Sequence, residues 1–215
     1  MLGIHDLALF VVSGLLLNIA PGPDSLLVMT RSATQGWRAG SAAALGIGTG
    51  TLVHIAAAAL GLSAVLATSA TAFTVVKYAG AAYLLYMGIS MLWSKKNESD
   101  TRGVPLGINP AALPYRKIFI QGFFTNALNP KVALFFLAFV PQFISPESSN
   151  KALAFTTLGC IFNFTGMLWS HFLAASTAFA SERFRVSNLV SMWVNKIIGV
   201  VFVSLGIRLA LAERS

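Results

Sequence analysis

GLLLNIAPGPD, residues 14–24, is an apolar run that stops at two prolines flanking one glycine. Pro21 and Pro23 lack backbone N–H donors and obstruct regular helical hydrogen bonding, while Gly22 admits dihedrals that other residues avoid. Inside a bilayer, backbone freed in this way must meet other protein groups or line a cavity. The sequence carries a second version of the same pattern. GFFTNALNPK, residues 122–131, again runs from a glycine through an asparagine four positions on to a helix breaker. Gly14 and Asn18 match Gly122 and Asn126, and Pro21-Gly22-Pro23 matches Asn129-Pro130. One residue beyond each breaker stands a charge, Asp24 in the first case and Lys131 in the second.

The surroundings of both breaks are apolar. Of 215 residues, 56% are hydrophobic and 10% charged, where a soluble domain carries roughly 25% charge. So few charges cannot cover a water-facing surface, and the bilayer is the main solvent. The net charge of +8 has no dense basic patch interleaved with aromatics behind it, which argues against nucleic-acid binding. Cys160 is alone, so no intrachain disulfide forms.

Six stretches are apolar and long enough to span: about 7–29, 40–65, 73–93, 118–140, 152–176 and 193–212. The first has His5 and Asp6 before it in place of a basic leader, and is expected to be an uncleaved helix. Basic residues cluster in alternate connectors. Arg31 and Arg38 follow the first span, Lys95, Lys96, Arg102, Arg116 and Lys117 the third, and Arg183 and Arg185 the fifth. The opposite connectors hold only Lys151, so these basic segments are expected on the cytoplasmic side and both termini outside. Trp37, Trp93 and Trp193 stand at span ends as interfacial anchors do, whereas Trp169 lies deeper and reads as packing.

The likeness of the halves extends past the breaks. Leu45-Gly46 in the second span answers to Leu158-Gly159 in the fifth, and Lys77, Gly80 and Gly88 to Lys196, Gly199 and Gly206. Three spans per half put the second half upside down relative to the first. The expected fold is therefore all-α: a polytopic membrane protein of six transmembrane helices, built as a 3+3 inverted-topology repeat with helices one and four broken. Residues 1–93 form the first repeat, 94–117 a basic cytoplasmic linker with Gly and Pro breakers, and 118–215 the second repeat.

Secondary transporters place substrate at such breaks, near mid-membrane. The break residues Asn18, Pro21, Gly22, Pro23, Asn126, Asn129 and Pro130 are the candidate substrate-binding set. Asparagine offers both donors and acceptors to ammonium and carboxylate groups, although it can equally bond a neighbouring helix. Asp24 and Lys131 either pair across the repeat axis or act as separate helix-end charges. With His54 and His171, the intramembrane histidines, they are the coupling candidates; each histidine either exchanges a proton or sits neutral in the core. Small residues at four-residue spacing in span two, Gly40, Ala44 and Gly48 with Gly46 and Gly50 beside them, read as close helix packing. Glycine-rich faces of this kind also suit pairing with a second copy. No His-x-x-His or Cys cluster proposes a metal, no glycine-rich phosphate loop proposes a nucleotide, and adjacent Ser170-His171 is poor geometry for a catalytic pair. No enzyme activity and no cofactor are expected.

The motif at residues 18–24, followed by Ser32, Gly36, Arg38 and Gly40, resembles the opening signature of the LysE/RhtB family of amino-acid exporters. The resemblance continues through Gly46 and His54, YAGAAYLLYMG at 78–88, the second break at 122–131, and FVPQF at 139–143. It implies an inner-membrane exporter of amino acids or close derivatives, driven by proton antiport, with alternating access about spans one and four. Asp24 departs from the asparagine common after Pro-Gly-Pro in that family, which bears on substrate charge and coupling. Export of metal or other small cations, or a channel of the same architecture, is the competing reading.

Overall fold

The computed structural model describes residues 2–62 and 112–180 continuously, with scattered positions at 71–93 and 196–211. The fold is all-α. Helix α1 covers Leu7–Ile19, α2 Pro23–Gln35 and α3 Trp37–Ala57, the last prolonged by a π-helical turn at Ala58–Leu62. Helix α4 covers Tyr115–Ala127 and α5 Pro130–Leu134; a π-helical turn at Phe135–Phe139 and a 3₁₀ turn at Val140–Phe143 continue α5. Helix α6, Lys151–Ala180, is the longest. Among the described residues no strand forms; a single antiparallel bridge joins Ile4 to Ile144. The described positions of the third and sixth candidate spans are helical.

Both breaks are where the sequence puts them. Helices α1 and α2 meet at 54°, and α4 meets the segment from Pro130 to Phe143 at 44°. Each bent pair is apolar and long enough to count as one membrane span, and Trp37–Gly61 and Lys151–Ala180 are two unbroken ones. The helices outrun the apolar windows. Helix α2 continues to Gln35 through the polar Thr30, Arg31, Ser32 and Thr34, because hydropathy marks the hydrocarbon core while helix persists into the interface. For the same reason Tyr115–Lys117, assigned above to the linker, form the first turn of α4, with Pro114 as its N-cap. The linker's 94–111, Trp193, Tyr83, Lys77, Gly80, Gly88 and Gly199 lie outside the described residues.

The small residues of α3 are consumed within the chain. A Cβ at Gly46 would collide with the Phe119 carbonyl of α4, and one at Gly122 with the Ala43 carbonyl of α3. Gly50 stands over α4 as well, 2.7 Å from the Phe123 carbonyl to an added Cβ. The other stripe faces elsewhere: Gly40 abuts Ser32 and Ala174, and Gly48 abuts Met167. Backbone-to-backbone approach of this kind is what small residues permit in membranes. With its glycines turned inward, the stripe supplies no surface for a second copy. Gly206 packs on Ala81 and Leu85, so the sixth span touches the third.

Two ends of the molecule can be told apart. At one, His5 N donates to Phe143 O (3.1 Å), Ser145 N to Gly3 O (2.8 Å) and Ser148 Oγ to Leu2 O (2.8 Å). At the other, Arg31 Nη2 donates to Gln121 Oε1 at 2.8 Å, and Gly36, at φ 81°, turns the chain from α2 into α3. This pairing of segments matches the parity expected from the basic connectors. Trp37 is half exposed at that second end, with the Arg38 guanidinium 5.6 Å over its ring. Trp169 is half-buried and tilted against Phe172, as packing predicts.

Candidate functional site

The two breaks meet. Helix α2 begins with Gly22 as N-cap, Pro23 first and Asp24 second; α5 begins with Asn129 as N-cap, Pro130 first and Lys131 second. Proline suits the first helical position because its missing N–H would be unpaired there in any case. The motif match is thus a match of helix positions, and it throws one charge from each half toward the other.

Asp24 reaches the second half. Its Oδ2 accepts from Asn126 Nδ2 at 2.8 Å and from Asn129 Nδ2 at 3.1 Å. Lys131 reaches the first half. Its Nζ donates to Leu17 O at 3.0 Å and to Ala20 O at 3.1 Å, the carbonyls left over where α1 ends. Each charge lies at a helix end of complementary polarity: the carboxylate at the N-terminus of α2, the ammonium at the C-terminus of α1. Direct pairing of Asp24 with Lys131, left open by the sequence, is not made: among the described residues the ion pair within 4.0 Å is His5 with Asp6.

Amide chemistry organises the rest. Asn129 caps α5, its Oδ1 accepting from Lys131 N at 3.0 Å. Asn126 Oδ1 accepts from Thr51 Oγ1 at 3.1 Å, and its backbone oxygen accepts from His54 Nε2 at 2.9 Å. A carbonyl can only accept, so His54 carries its hydrogen on Nε2. The ring lies nearly parallel to Phe136, their centroids 6.1 Å apart. Asn126 is 2% exposed and both ends of its amide are spoken for; it holds the site together. Gly22, at φ −172°, has an extended backbone that any residue adopts. Its value is space: an added Cβ would lie 3.2 Å from Lys131 Nζ. That corrects the dihedral argument made from sequence.

The symmetry fails at Asn18, the counterpart of Asn126. Its Nδ2 is buried with no hydrogen-bond partner, as is Asp24 Oδ1. Gly166 of α6 makes room for it, since a Cβ there would stand 3.1 Å from both Asn18 amide atoms. Asn18 and Asp24 line one cavity with Lys131, Ser25, Thr51, Asn163 and Ser170. Its apolar wall is Leu17, Ile47, Val132, Phe162 and Met167. The empty space is about 480 Å³, its open mouth included. Native proteins leave few buried polar atoms unpaired; among the described residues Ser13, Arg31, Ser32, Gln35 and Trp169 carry others, none of them lining this cavity.

The remaining candidates fall outside the cavity. His171 Nδ1 donates to Met167 O at 2.8 Å, a bond within its own helix. Pro21 and Pro23 are exposed and shape the break without facing the cavity. Asn163, which the sequence offers either as lining a path or as bonding another helix, lines the cavity, whereas Thr51 and Ser25 went unassigned there because a threonine or serine in an apolar helix looks the same whether it bonds its own backbone or another helix. Rings of Phe135, Phe136, Phe139, Phe143, Phe10 and Phe162 contact one another in stacked, tilted and edge-on pairs, running from Phe162 in the cavity wall to Phe143, whose carbonyl accepts from His5 N at the Ile4–Ile144 end. The tightest of these pairs, Phe135 and Phe162, has centroids 4.6 Å apart.

Two bent apolar helix pairs that meet at a partly polar cavity define an all-α, polytopic membrane protein. Comparison with known proteins gives the class a family. Residues 15–213 match the LysE type translocator family, and the chain belongs to it. It is 34% identical over 212 residues to the uncharacterized membrane protein YrhP of Bacillus subtilis (strain 168), covering 97% of this chain and all of that one. It is 31% identical to the uncharacterized membrane protein PA4757 of Pseudomonas aeruginosa, across 100% of this chain and 99% of the other. It is 30% identical to the leucine efflux protein of Enterobacter sp. (strain 638), across 97% and 96%. No solved structure matches the chain.

Proposed function

We propose that the protein exports an amino acid from the cytoplasm through the cavity at the two breaks, in exchange for protons. The observation that carries this reading is that Asp24 and Asn18, each with a buried side-chain atom lacking a hydrogen-bond partner, line the same cavity. A zwitterion has one group for each. Its ammonium meets Asp24 Oδ1; its carboxylate meets Asn18 Nδ2 and the third N–H of Lys131. The apolar wall takes the side chain, in keeping with a relative named a leucine efflux protein.

Asp24 also takes the coupling role. A carboxylate that binds either the substrate ammonium or a proton makes the two compete, and competition at one group is antiport. His54, bonded to the Asn126 carbonyl beside it, is the second proton candidate. The halves, 1–93 and 118–215, act as inverted repeats that rock about the junction in the inner membrane, with both termini on the external side. The aromatic group over the cavity is then the closed external gate of an inward-facing or occluded state.

The test is counterflow of each standard amino acid in vesicles reconstituted with the purified protein. Saturable counterflow of a few amino acids is expected, with uptake driven by a lumen more acidic than the medium, as antiport requires. Conductance without saturable counterflow indicates a channel, and flux unchanged by the pH gradient rejects the proton step. Retained pH dependence in His54→Gln removes His54 from that step and leaves Asp24.

A further inference from the structure

In transporters with broken helices, carbonyls at half-helix C-terminal ends commonly hold the coupling cation. Here α1 ends in such a pair, Leu17 O and Ala20 O, and a cation is already on them: Lys131 Nζ, at 3.0 and 3.1 Å. We infer that these two carbonyls form a monovalent-cation site which the chain fills with its own ammonium. Three features fix it there. Asn129 Oδ1 holds Lys131 N at 3.0 Å, which sets the root of the side chain. Gly22 leaves the approach open, since a Cβ would stand 3.2 Å from Nζ and 3.7 Å from Cε. Asp24 spends Oδ2 on Asn126 and Asn129 rather than on the lysine, so the carbonyls carry the bonding.

A tethered ammonium cannot leave, so it cannot be transported. It keeps the two broken helices joined through the cycle and presents its third N–H to the cavity, where a bound metal ion would otherwise meet a substrate carboxylate. The protein therefore runs without sodium. Removing the ammonium vacates a site that a free cation of the same charge can enter.

Only the flux arm of the test rests on the amino-acid export reading. Thermal unfolding of purified Lys131→Ala in choline, sodium and ammonium chloride is the primary measurement. Lys131→Ala is expected to unfold several degrees lower than wild type in choline and to recover in ammonium or sodium, while wild type gives the same midpoint in all three. A Lys131→Ala midpoint equal in every salt overturns the inference. If the variant is recovered folded only from ammonium or sodium buffers, the site is supported. If it fails in every salt while Lys131→Met, which keeps the stem without the charge, folds, the site is refuted. In wild-type vesicles, amino-acid counterflow is expected to be equal in sodium, potassium and choline; sodium-dependent flux overturns the inference. Absence of any amino-acid flux refutes the export reading alone, and the unfolding measurements still decide the cation site.

Discussion

At the residue scale, the site is a division of labour between two charges that do not touch. Asp24 is held through one oxygen by two amides, and its other oxygen is buried without a hydrogen-bond partner. Asp24→Asn keeps an oxygen to accept from Asn126, so its unfolding midpoint is expected within a few degrees of wild type while proton-driven flux is lost; a variant that transports normally contradicts the assignment. Exchanging the two charges, Asp24→Lys with Lys131→Asp, is expected to rescue neither, because an aspartate at 131 would face the Leu17 and Ala20 carbonyls. Gly22 tests the lysine's packing. Gly22→Ala is expected to cost about 1–3 kcal/mol by crowding Nζ, and much less in a Lys131→Ala background. Equal costs in both backgrounds, read by denaturation, exclude that contact as the cause.

At the scale of elements, the breaks were the most legible part of the sequence and the connections between them the least. A proline within an apolar run announces a broken helix whatever surrounds it, so Pro21, Pro23 and Pro130 sufficed to place both bends. The bonds across the junction depend on how far each helix is rotated, which periodicity cannot supply for helices apolar all round. Hence Asn18 and Asn126, equivalent in the motif, have opposite fates: one unpaired at the cavity, the other enclosed by Asp24, Thr51 and His54. The same ignorance of rotation left the α3 glycines as a packing surface without a partner, until α4 was seen to press its backbone against them. That contact makes a prediction. Gly46→Ala drives a methyl into the Phe119 carbonyl and is expected to destabilise by about 1–3 kcal/mol or more, whereas Gly61, with nothing within 4 Å, should accept alanine without loss. Similar unfolding midpoints for the two variants would show that α3 and α4 are further apart than described.

At the scale of the whole molecule, the bonds between segments set which of them share an end. The N-terminal residues bond the segment after the fourth span at one end, and Arg31 bonds Gln121 of α4 away from it. With Cys160→Ser as background, Ser149→Cys is expected to react with an impermeant thiol reagent from outside the cell and Ala33→Cys only after permeabilisation; the reverse pattern inverts the topology. Within this frame the two breaks meet at a partly polar cavity, and the family match over residues 15–213 agrees with the proposed transport. The most direct measurement of the account is equilibrium binding of the preferred amino acid to the purified protein, compared among wild type, Asp24→Asn, Asn18→Ala and His171→Phe. The account predicts saturable binding that weakens at least about tenfold, or about 1.4 kcal/mol, in Asp24→Asn and Asn18→Ala and is unchanged in His171→Phe. Undiminished binding in both Asp24→Asn and Asn18→Ala would place the substrate elsewhere and contradict it.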